Sequence, residues 1–240
     1  MSAFPTLIAV AHGTRSPSGR RQIQQLAAAV SQRRPGLDVR LCYVDVQEPK
    51  VADVVASVDD AIVVPLLLSC GYHVRVDIAD AVKSTHFPVT APLGPDPLFL
   101  DSLRRNLPDS DAVVLASAGS SDPLWVEGIR DVAAQLPGRV ELGYTSGSGP
   151  RVKDVVARLR AEGARTVAVA AYLLAEGLFY RTLHSSGADS VTPPLCHDPA
   201  VADLVLSRYD STTAISAESA QSLFAPTVRS PFAQTARSSR

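Results

Sequence analysis

The chain has 240 residues, of which 46% are hydrophobic and 20% are charged. This composition is typical of one large globular domain or two small ones and excludes a disordered protein. The formal net charge is −1, from 23 Lys and Arg against 24 Asp and Glu. Because no basic excess exists, we expect no nucleic-acid partner.

The predicted elements alternate between strands and helices. In chain order they are a strand at 7–11, a helix at 22–34 that ends before Pro35-Gly36, a strand at 39–46, a helix that begins at Pro49, a strand at 61–68, a further helix and a short strand near 89–93. Strands that alternate with helices predict a parallel α/β sheet. The apolar, β-branched strand at 61–68 is typical of a sheet that is covered on both faces.

The same motifs then recur in the same order, at offsets between 101 and 106 residues. The matched segments are 7–14 with 112–120, 49–55 with 150–156, 66–75 with 172–181, and 92–97 with 194–199. This pattern indicates a tandem duplication of about 100 residues. We therefore predict two similar lobes, each a small parallel sheet flanked by helices.

The predicted domain boundaries follow from the duplication. Residues 1–107 form the first lobe, which carries the active site, and residues 108–209 form a degenerate second lobe. Residues 210–240, rich in Ser, Thr and Ala, are expected to form a disordered tail, with a short docking helix around 216–224 as the alternative.

The sequence also predicts where the protein acts in the cell. No apolar run reaches the roughly 18 residues that a membrane helix needs, so we expect no membrane association. The N-terminus lacks the basic region of a secretory signal. Cys42, Cys70 and Cys196 show no metal-ligand spacing and are an odd number, so we expect a reducing, cytoplasmic compartment.

Ionisable side chains follow the predicted strands of the first copy only. His12 comes directly after the first strand and His73 after the third, whereas the second copy has Ala118 and Phe179 at these positions. Asp45, near the end of the second strand, also lacks an acidic counterpart. The second copy therefore keeps a scaffold role, and we expect the chemistry in the first.

The strand ends of the first copy offer ligands for a metal ion. Ligand sites in open parallel sheets lie beyond the carboxyl ends of the strands, where His12, His73 and either Asp45 or Glu48 are expected. Two imidazoles and a carboxylate suit Fe²⁺, Co²⁺ or Ni²⁺. Histidines are equally suited to proton transfer near pH 7.

Further polar residues flank these histidines. Thr14 can cap the following helix or bind a ligand oxygen. Arg15 and Arg75 stand close in sequence to the histidines and are suited to bind carboxylates. We interpret Arg20 and Arg21, which follow on the same loop, as part of a solvated helix face.

A known family carries the same motifs. The segment Ala11-His12-Gly13-Thr14-Arg15, a carboxylate and Glu-Pro after the second strand, and the segment Pro65–Ile78 with Gly-Tyr-His-Val-Arg resemble class II chelatases of the sirohydrochlorin type. The resemblance is strong over residues 5–105 and extends to about residue 205. It implies a cytoplasmic, ATP-independent lyase that inserts Fe²⁺ or Co²⁺ into sirohydrochlorin, a tetrapyrrole, in sirohaem or cobalamin biosynthesis.

The resemblance also implies roles for individual residues. His12 and His73 are the catalytic residues and bind the metal together with Asp45, which occupies a position where relatives often carry Glu. The expected substrate-binding residues are Thr14, Arg15, Tyr72 and Arg75. The divalent metal, with Ni²⁺ as a third choice, is a substrate, and no organic cofactor is expected.

Other expectations also rest on the resemblance. With only Cys196 near the C-terminus of the matched region, no iron–sulfur cluster is expected. The absence of a His-rich tract favours iron over cobalt. We expect a monomer or a weak homodimer.

Two other functions are compatible with parts of the sequence. The first is a non-catalytic carrier of metal or tetrapyrrole on the same lobes. The second is a histidine-phosphatase-like enzyme, because such enzymes also carry His-Gly after their first strand. The second alternative is disfavoured, because Ala11 stands where that chemistry normally has a phosphate-binding arginine.

Overall fold

The computed structural model describes residues 4–69, 72–120 and 122–213, except for the side chains of residues 72–75, 124 and 213. In chain order, the elements are β1 (Thr6–Ala11), α1 (Pro17–Arg33), β2 (Val39–Tyr43), α2 (Val51–Val55), β3 (Ala61–Pro65), α3 (Tyr72–Val82), α4 (Pro97–Asn106), β4 (Ala112–Ser117), α5 (Pro123–Gln135), β5 (Val140–Tyr144), α6 (Val152–Ala161), β6 (Val167–Ala171), α7 (Leu178–Leu183), β7 (Ser190–Val191) and α8 (Ala200–Thr213). None of the helices within these ranges is long and apolar enough to span a membrane.

The strands form two parallel sheets. The first has the order β2-β1-β3 and the second the order β5-β4-β6-β7. Every residue of β1, β3, β4 and β6 is buried, because helices cover both faces of a parallel α/β sheet. The predicted fold, α/β with two similar lobes that each contain a small parallel sheet, is confirmed.

The two sheets repeat the same register. Ala11 at the end of β1 pairs with Tyr43 of β2, and Ser117 at the end of β4 pairs with Tyr144 of β5. The helices repeat as well, since α1 and α5 each begin with a proline that follows Ser16 or Asp122. The duplication inferred from the motifs is therefore visible in the backbone.

The compact units do not coincide with the two predicted lobes. Among the described residues, the first unit contains 4–94 together with 199–213, and the second contains 95–198. Helix α4, the last helix of the first repeat, belongs to the second unit, and α8, the last helix of the second repeat, belongs to the first. The boundaries predicted at 107 and 209 therefore differ from those of the units.

Helix α8 is an integral part of the first unit. It packs against α1 and β3, and its Val205 and Tyr209 are buried. The Tyr209 hydroxyl donates a hydrogen bond to the carbonyl oxygen of Pro5 (2.7 Å). Asp210 accepts two hydrogen bonds from the guanidinium of Arg34, at 2.5 and 2.7 Å. Residues 210–213, which were predicted as the start of the tail, belong to α8 instead. Residues 214–240, including the alternative docking helix, lie outside the described residues.

The ion pair between Arg34 and Asp210 makes the stability of the first unit depend on pH. Hydrogen bonds from Arg34 lower the pKa of Asp210, so the pair stabilises the fold above the ordinary carboxyl pKa and is lost as the pH falls through the lowered value. We expect Asp210→Asn to reduce the free energy of unfolding by about 0.5–1 kcal/mol at pH 7, as for a half-exposed, two-pronged pair.

Urea denaturation at several pH values measures this effect. The difference in the free energy of unfolding between wild type and Asp210→Asn should become smaller as the pH falls below about 4. Asp59→Asn, at an exposed site with no ion pair among the described residues, is the control and should match wild type throughout. A difference that does not change with pH would contradict the assignment to this pair.

Helix α4 is tied to the second unit in a corresponding way. The carboxylate of Asp96 caps its N-terminus, and the ring of Phe99 packs edge-on against the buried ring of Tyr172 at a centroid distance of 6.2 Å. The guanidinium of Arg105 forms an ion pair with Asp198. Each unit is thus completed by a helix that the other repeat encodes.

Several element ends differ from the prediction for local physical reasons. Helix α1 begins at Pro17, five residues earlier than predicted, because the Ser16 hydroxyl caps it by accepting a hydrogen bond from the Gly19 N–H (3.4 Å). Strand β2 ends at Tyr43, since the backbone then turns and reaches a positive φ of 57° at Val46. The segment 89–93 contributes a single bridge, between Val63 and Val89, in place of a strand.

Candidate active site at the edge of the first sheet

The carboxyl ends of the first three strands lie at one edge of the sheet. Strand β1 is central, and His12 follows its last residue directly. Asp45 comes two residues after β2 ends, and His73 is the second residue of α3, the helix that follows β3. Because the strands are parallel, the fold directs the chain segments that contain all three residues to the same edge.

His12 and Asp45 are in direct backbone contact. The N–H of Asp45 donates to the carbonyl oxygen of His12 (3.0 Å), and the N–H of Val44 donates to that of Ala11 (3.0 Å). These bonds extend the pairing of β1 with β2 beyond both strands. The side chains of His12 and Asp45 are exposed, so a ligand at this edge can reach either.

Gly13 allows this contact to form. Its φ is +99°, and a Cβ at this position would lie 2.1 Å from the carbonyl oxygen of Asp45. Gly119 repeats the arrangement in the second unit, with a φ of +93° and 2.4 Å to the carbonyl oxygen of Ser146. The sequence match between the two glycines therefore reflects a close backbone approach that only glycine permits.

The residue after Asp45 adopts a strained conformation. Val46 has a φ of 57°, which is a rare conformation for a β-branched residue, whereas the matching residue of the second copy is Gly147, with a φ of 78°. The Val46 N–H donates to Oδ1 of Asp45 (2.7 Å). This bond orients the carboxylate and leaves Oδ2 without a hydrogen bond to any described residue.

Gln47 links the loops on which His12 and Asp45 lie. Its Oε1 accepts a hydrogen bond from the Thr14 N–H (2.8 Å). Burial raises the pKa of Tyr43, and this rise is opposed by a hydrogen bond with Gln47 and by the charge of Arg20. Gln47 was not predicted as a site residue, because a glutamine in a turn carries no signal of such a role.

Comparisons with known proteins identify the family of this chain. The CbiX family model matches residues 6–110 and again residues 112–212. The chain belongs to the CbiX family. The resemblance to class II chelatases is thereby confirmed, and the two matches correspond to the two copies of the internal repeat.

Individual relatives of this CbiX family member carry chelatase names. It is 24% identical over 196 residues to a sirohydrochlorin ferrochelatase of Priestia megaterium, covering 70% of this chain and 73% of the relative. It is 26% identical over 88 residues to a sirohydrochlorin cobaltochelatase of Methanococcoides burtonii, covering 35% of this chain and 67% of that one. The structure of SirB from Bacillus subtilis with Fe³⁺ superposes with a TM-score of 0.71 at 21% identity, over 87% of this chain and 95% of SirB.

The contacts of the other residues predicted for the site of this CbiX family member are described for Thr14 and Arg15 only. The Thr14 hydroxyl accepts a hydrogen bond from the Ser16 N–H (3.1 Å), and Ser16, not Thr14, caps α1. Arg15 is exposed and forms no ion pair with the described residues. The side chains of Tyr72, His73 and Arg75 lie outside the described part, so their predicted roles stay predictions.

The structure distinguishes the two carboxylates that the sequence left as alternatives. Glu48 is exposed and forms an ion pair with Lys50 (3.8 Å). Asp45 instead contacts the backbone of His12 and keeps one oxygen without a partner among the described residues. Asp45 is therefore the better candidate for the acidic partner of His12.

The described side chains do not by themselves form a metal cage. No three His, Cys, Asp or Glu side chains of the described residues come together in a way that could hold a metal ion. The predicted set of His12, Asp45 and His73 includes one side chain outside that description and stays a prediction.

The corresponding edge of the second sheet has the same backbone contact but lacks the ionisable side chains of the first. The Ser146 N–H donates to the carbonyl oxygen of Ala118 (2.9 Å), as the Asp45 N–H does to that of His12. Phe179, the counterpart of His73, is 39% exposed. None of these three positions in the second copy has a side chain that exchanges protons near neutral pH, which supports the expectation of a scaffold role.

Proposed function

We propose that this CbiX family member is a sirohydrochlorin chelatase that inserts Fe²⁺ or Co²⁺ into its substrate at the carboxyl edge of the first sheet. The observation that carries the proposal is the backbone contact between His12 and Asp45 at that edge, in a chain that matches the CbiX family twice. The names of the two curated relatives support the reaction. ATP plays no part in it.

The reaction exchanges protons for a metal ion. Two pyrrole N–H bonds break, both protons leave, and the four ring nitrogens bind the divalent metal, with no electron transferred. A neutral imidazole can act as a weak metal ligand and as a proton acceptor, and we assign both roles to His12. Its exposure allows the proton to pass on to solvent. His73 is proposed as the second residue with the same two roles.

Asp45 completes the proposed metal-delivery site. Because its Oδ1 accepts the Val46 N–H, it offers Oδ2 as a single oxygen ligand. A ligand set of one carboxylate oxygen and two imidazoles binds a divalent ion without the strong retention of a thiolate cluster. Such a site can release its metal to the macrocycle, as a chelatase requires.

The described cysteines do not compete for the metal. Burial raises the pKa of Cys42 and of Cys196 to about 12, so both thiols stay protonated near neutral pH. Both are free thiols. We also propose that the protein acts in a reducing cytoplasm, because its three cysteines are an odd number without metal-ligand spacing. The monomeric or weakly dimeric state stays a prediction.

An anaerobic insertion assay tests the function. The purified chain is mixed with sirohydrochlorin and Fe²⁺, Co²⁺ or Ni²⁺ in separate reactions, and the tetrapyrrole absorbance is followed. We expect insertion faster than the uncatalysed rate, and the ratios of kcat/KM identify the preferred metal. An absorbance change that stops at one equivalent of protein would indicate a carrier instead. Insertion no faster than without protein would overturn the proposal.

A further inference from the structure

Most arginines of the described chain are neutralised by a neighbouring acid. Nine of them form ion pairs with Asp or Glu, namely Arg33, Arg34, Arg40, Arg104, Arg105, Arg139, Arg158, Arg160 and Arg165. Arg15, Arg20 and Arg21, which lie on the His12 loop and the first turn of α1, form no ion pair with the described residues. These three arginines therefore have no ion-pair partner among the described residues, although they lie close in sequence to His12.

Of these three arginines, Arg20 is the one that the protein holds in place. Its Nε donates a hydrogen bond to the carbonyl oxygen of Thr14 (2.9 Å), two residues after His12. The side chains of Arg15 and Arg21 form no hydrogen bond with the described residues. Arg20 is also close enough to Tyr43 for its charge to act on the phenol. Its guanidinium is thus fixed against the loop that joins β1 to α1.

The anchored guanidinium keeps its binding groups available. Only Nε is engaged, so the N–H groups of both Nη atoms form no hydrogen bond with the described residues. Planar N–H groups of this kind match a carboxylate in a two-pronged hydrogen bond. Because the hydrogen bond from Nε already restricts the side chain, less conformational entropy is lost when a carboxylate binds.

The cation is specific to the copy of the repeat that carries the histidines. The alignment of Pro17 with Pro123 and of Ile23 with Ile129 matches Arg20 with Val126. The second unit therefore lacks this cation at the position that corresponds to Arg20. Arg20 follows the same pattern as His12, whose counterpart is Ala118. A residue needed only to close the turn before the helix would be expected in both copies.

We propose that Arg20 binds a carboxylate of the tetrapyrrole substrate and holds the macrocycle beside His12. The proposal rests on the proposed chelatase function, and it adds to the predicted substrate-binding residues one that the sequence assigned to a solvated face. Sirohydrochlorin carries carboxylates around its ring, and Arg20 is a fixed cation without an acidic partner in the described chain. The contact acts on substrate binding, while proton removal remains with the histidines.

Binding and kinetics of matched variants test this assignment. Arg20→Ala, Arg20→Lys and the control Arg21→Ala are prepared in the full chain, and their folding is checked by thermal unfolding. Metal-free sirohydrochlorin is titrated at low and high salt, and KM and kcat are measured with Co²⁺. For Arg20→Ala we expect Kd and KM to rise about tenfold or more, with kcat changed by less than about threefold. Arg20→Lys should fall between this variant and wild type, and Arg21→Ala should match wild type.

A carboxylate-esterified form of sirohydrochlorin distinguishes a carboxylate contact of Arg20 from a purely structural role of this residue. If Arg20 only pins the Thr14 carbonyl, Arg20→Ala should weaken binding of sirohydrochlorin and of its carboxylate-esterified form equally, whereas a carboxylate contact predicts a loss for the free acid alone. Equal losses, or a KM for Arg20→Ala within twofold of wild type, would overturn the proposal. Absence of insertion by the wild type would instead reject the chelatase function. If the wild type also failed to bind the metal-free tetrapyrrole, both would be rejected.

Discussion

Replacement of His12 by alanine is expected to slow metal insertion by about 10²- to 10⁴-fold, the range typical of a lost proton-transfer group. His12 follows the central strand, and its backbone is fixed by the hydrogen bond from the Asp45 N–H. Its side chain is exposed, so the substitution removes the imidazole without opening a cavity in the core. Initial rates at saturating Co²⁺ and sirohydrochlorin, measured anaerobically, give the change in kcat, and the unfolding midpoint should not move.

Two further measurements distinguish loss of chemistry from a general effect. His86→Ala removes an exposed histidine of the same unit, which lies 3.8 Å from Asp60, and should leave the rate unchanged. Because the site of His12 is open, added imidazole should restore part of the rate of His12→Ala but not of Asp45→Ala. His12→Ala at more than half of the wild-type rate would remove His12 from the mechanism and leave His73 as the residue to test.

Much of the fold could be predicted from the sequence because the signals were local and repeated. Apolar runs, prolines before helices and glycines after strands recur at nearly constant offsets, so the two parallel sheets and the carboxyl edge that holds His12 follow directly. Gly13 and Gly119 are informative in the same way, since each marks a close backbone approach that tolerates no side chain. Such positions restrict the residue type strongly enough to be recognised in a single sequence.

The exchange of helices α4 and α8 could not be predicted, for a reason that lies in the duplication. Helix α4 begins at the proline of the pair Asp96-Pro97, and α8 begins directly after the pair Asp198-Pro199. Both helices carry apolar faces that could cover either sheet. The choice depends on tertiary contacts, such as the bond from Tyr209 to Pro5 and the packing of Phe99 on Tyr172. Neither repeat should therefore fold completely when expressed alone.

Only part of the proposed site could be predicted from the sequence. The residue types and positions of His12 and Asp45 indicate metal binding and proton transfer. The roles proposed for Gln47 and Arg20 depend instead on their contacts with Thr14, which no local sequence pattern encodes. Val46 is more instructive, because its branched side chain is intrinsically unfavourable at the positive φ that it adopts. Local propensity and structure disagree here, next to the proposed metal ligand, and such disagreements concentrate at functional sites.

Replacement of Gly13 by alanine should be the most destabilising of the single changes that we propose in the first unit. The new Cβ would lie 2.1 Å from the Asp45 carbonyl oxygen, and the residue would keep a φ of +99°. The left-handed backbone costs about 1 kcal/mol and the steric overlap about 1–3 kcal/mol more, so we expect a loss of about 2–4 kcal/mol. Because relief of the overlap separates the loops of His12 and Asp45, insertion by the protein that remains folded should fall as well.

Alanine substitutions at two other glycines separate the backbone cost, the steric cost and the effect on insertion. Gly36 has a φ of +90° with no atom within 4 Å of an added Cβ, so Gly36→Ala should cost only the backbone term of about 1 kcal/mol. Gly119→Ala meets the Ser146 carbonyl oxygen at 2.4 Å and should destabilise the second unit about as much as Gly13→Ala destabilises the first, yet the folded variant should retain insertion. Urea denaturation followed by circular dichroism, together with insertion rates, gives both quantities. If Gly13→Ala were no more destabilising than Gly36→Ala, the loops would be free to separate, and the contact between His12 and Asp45 could not be what organises the site.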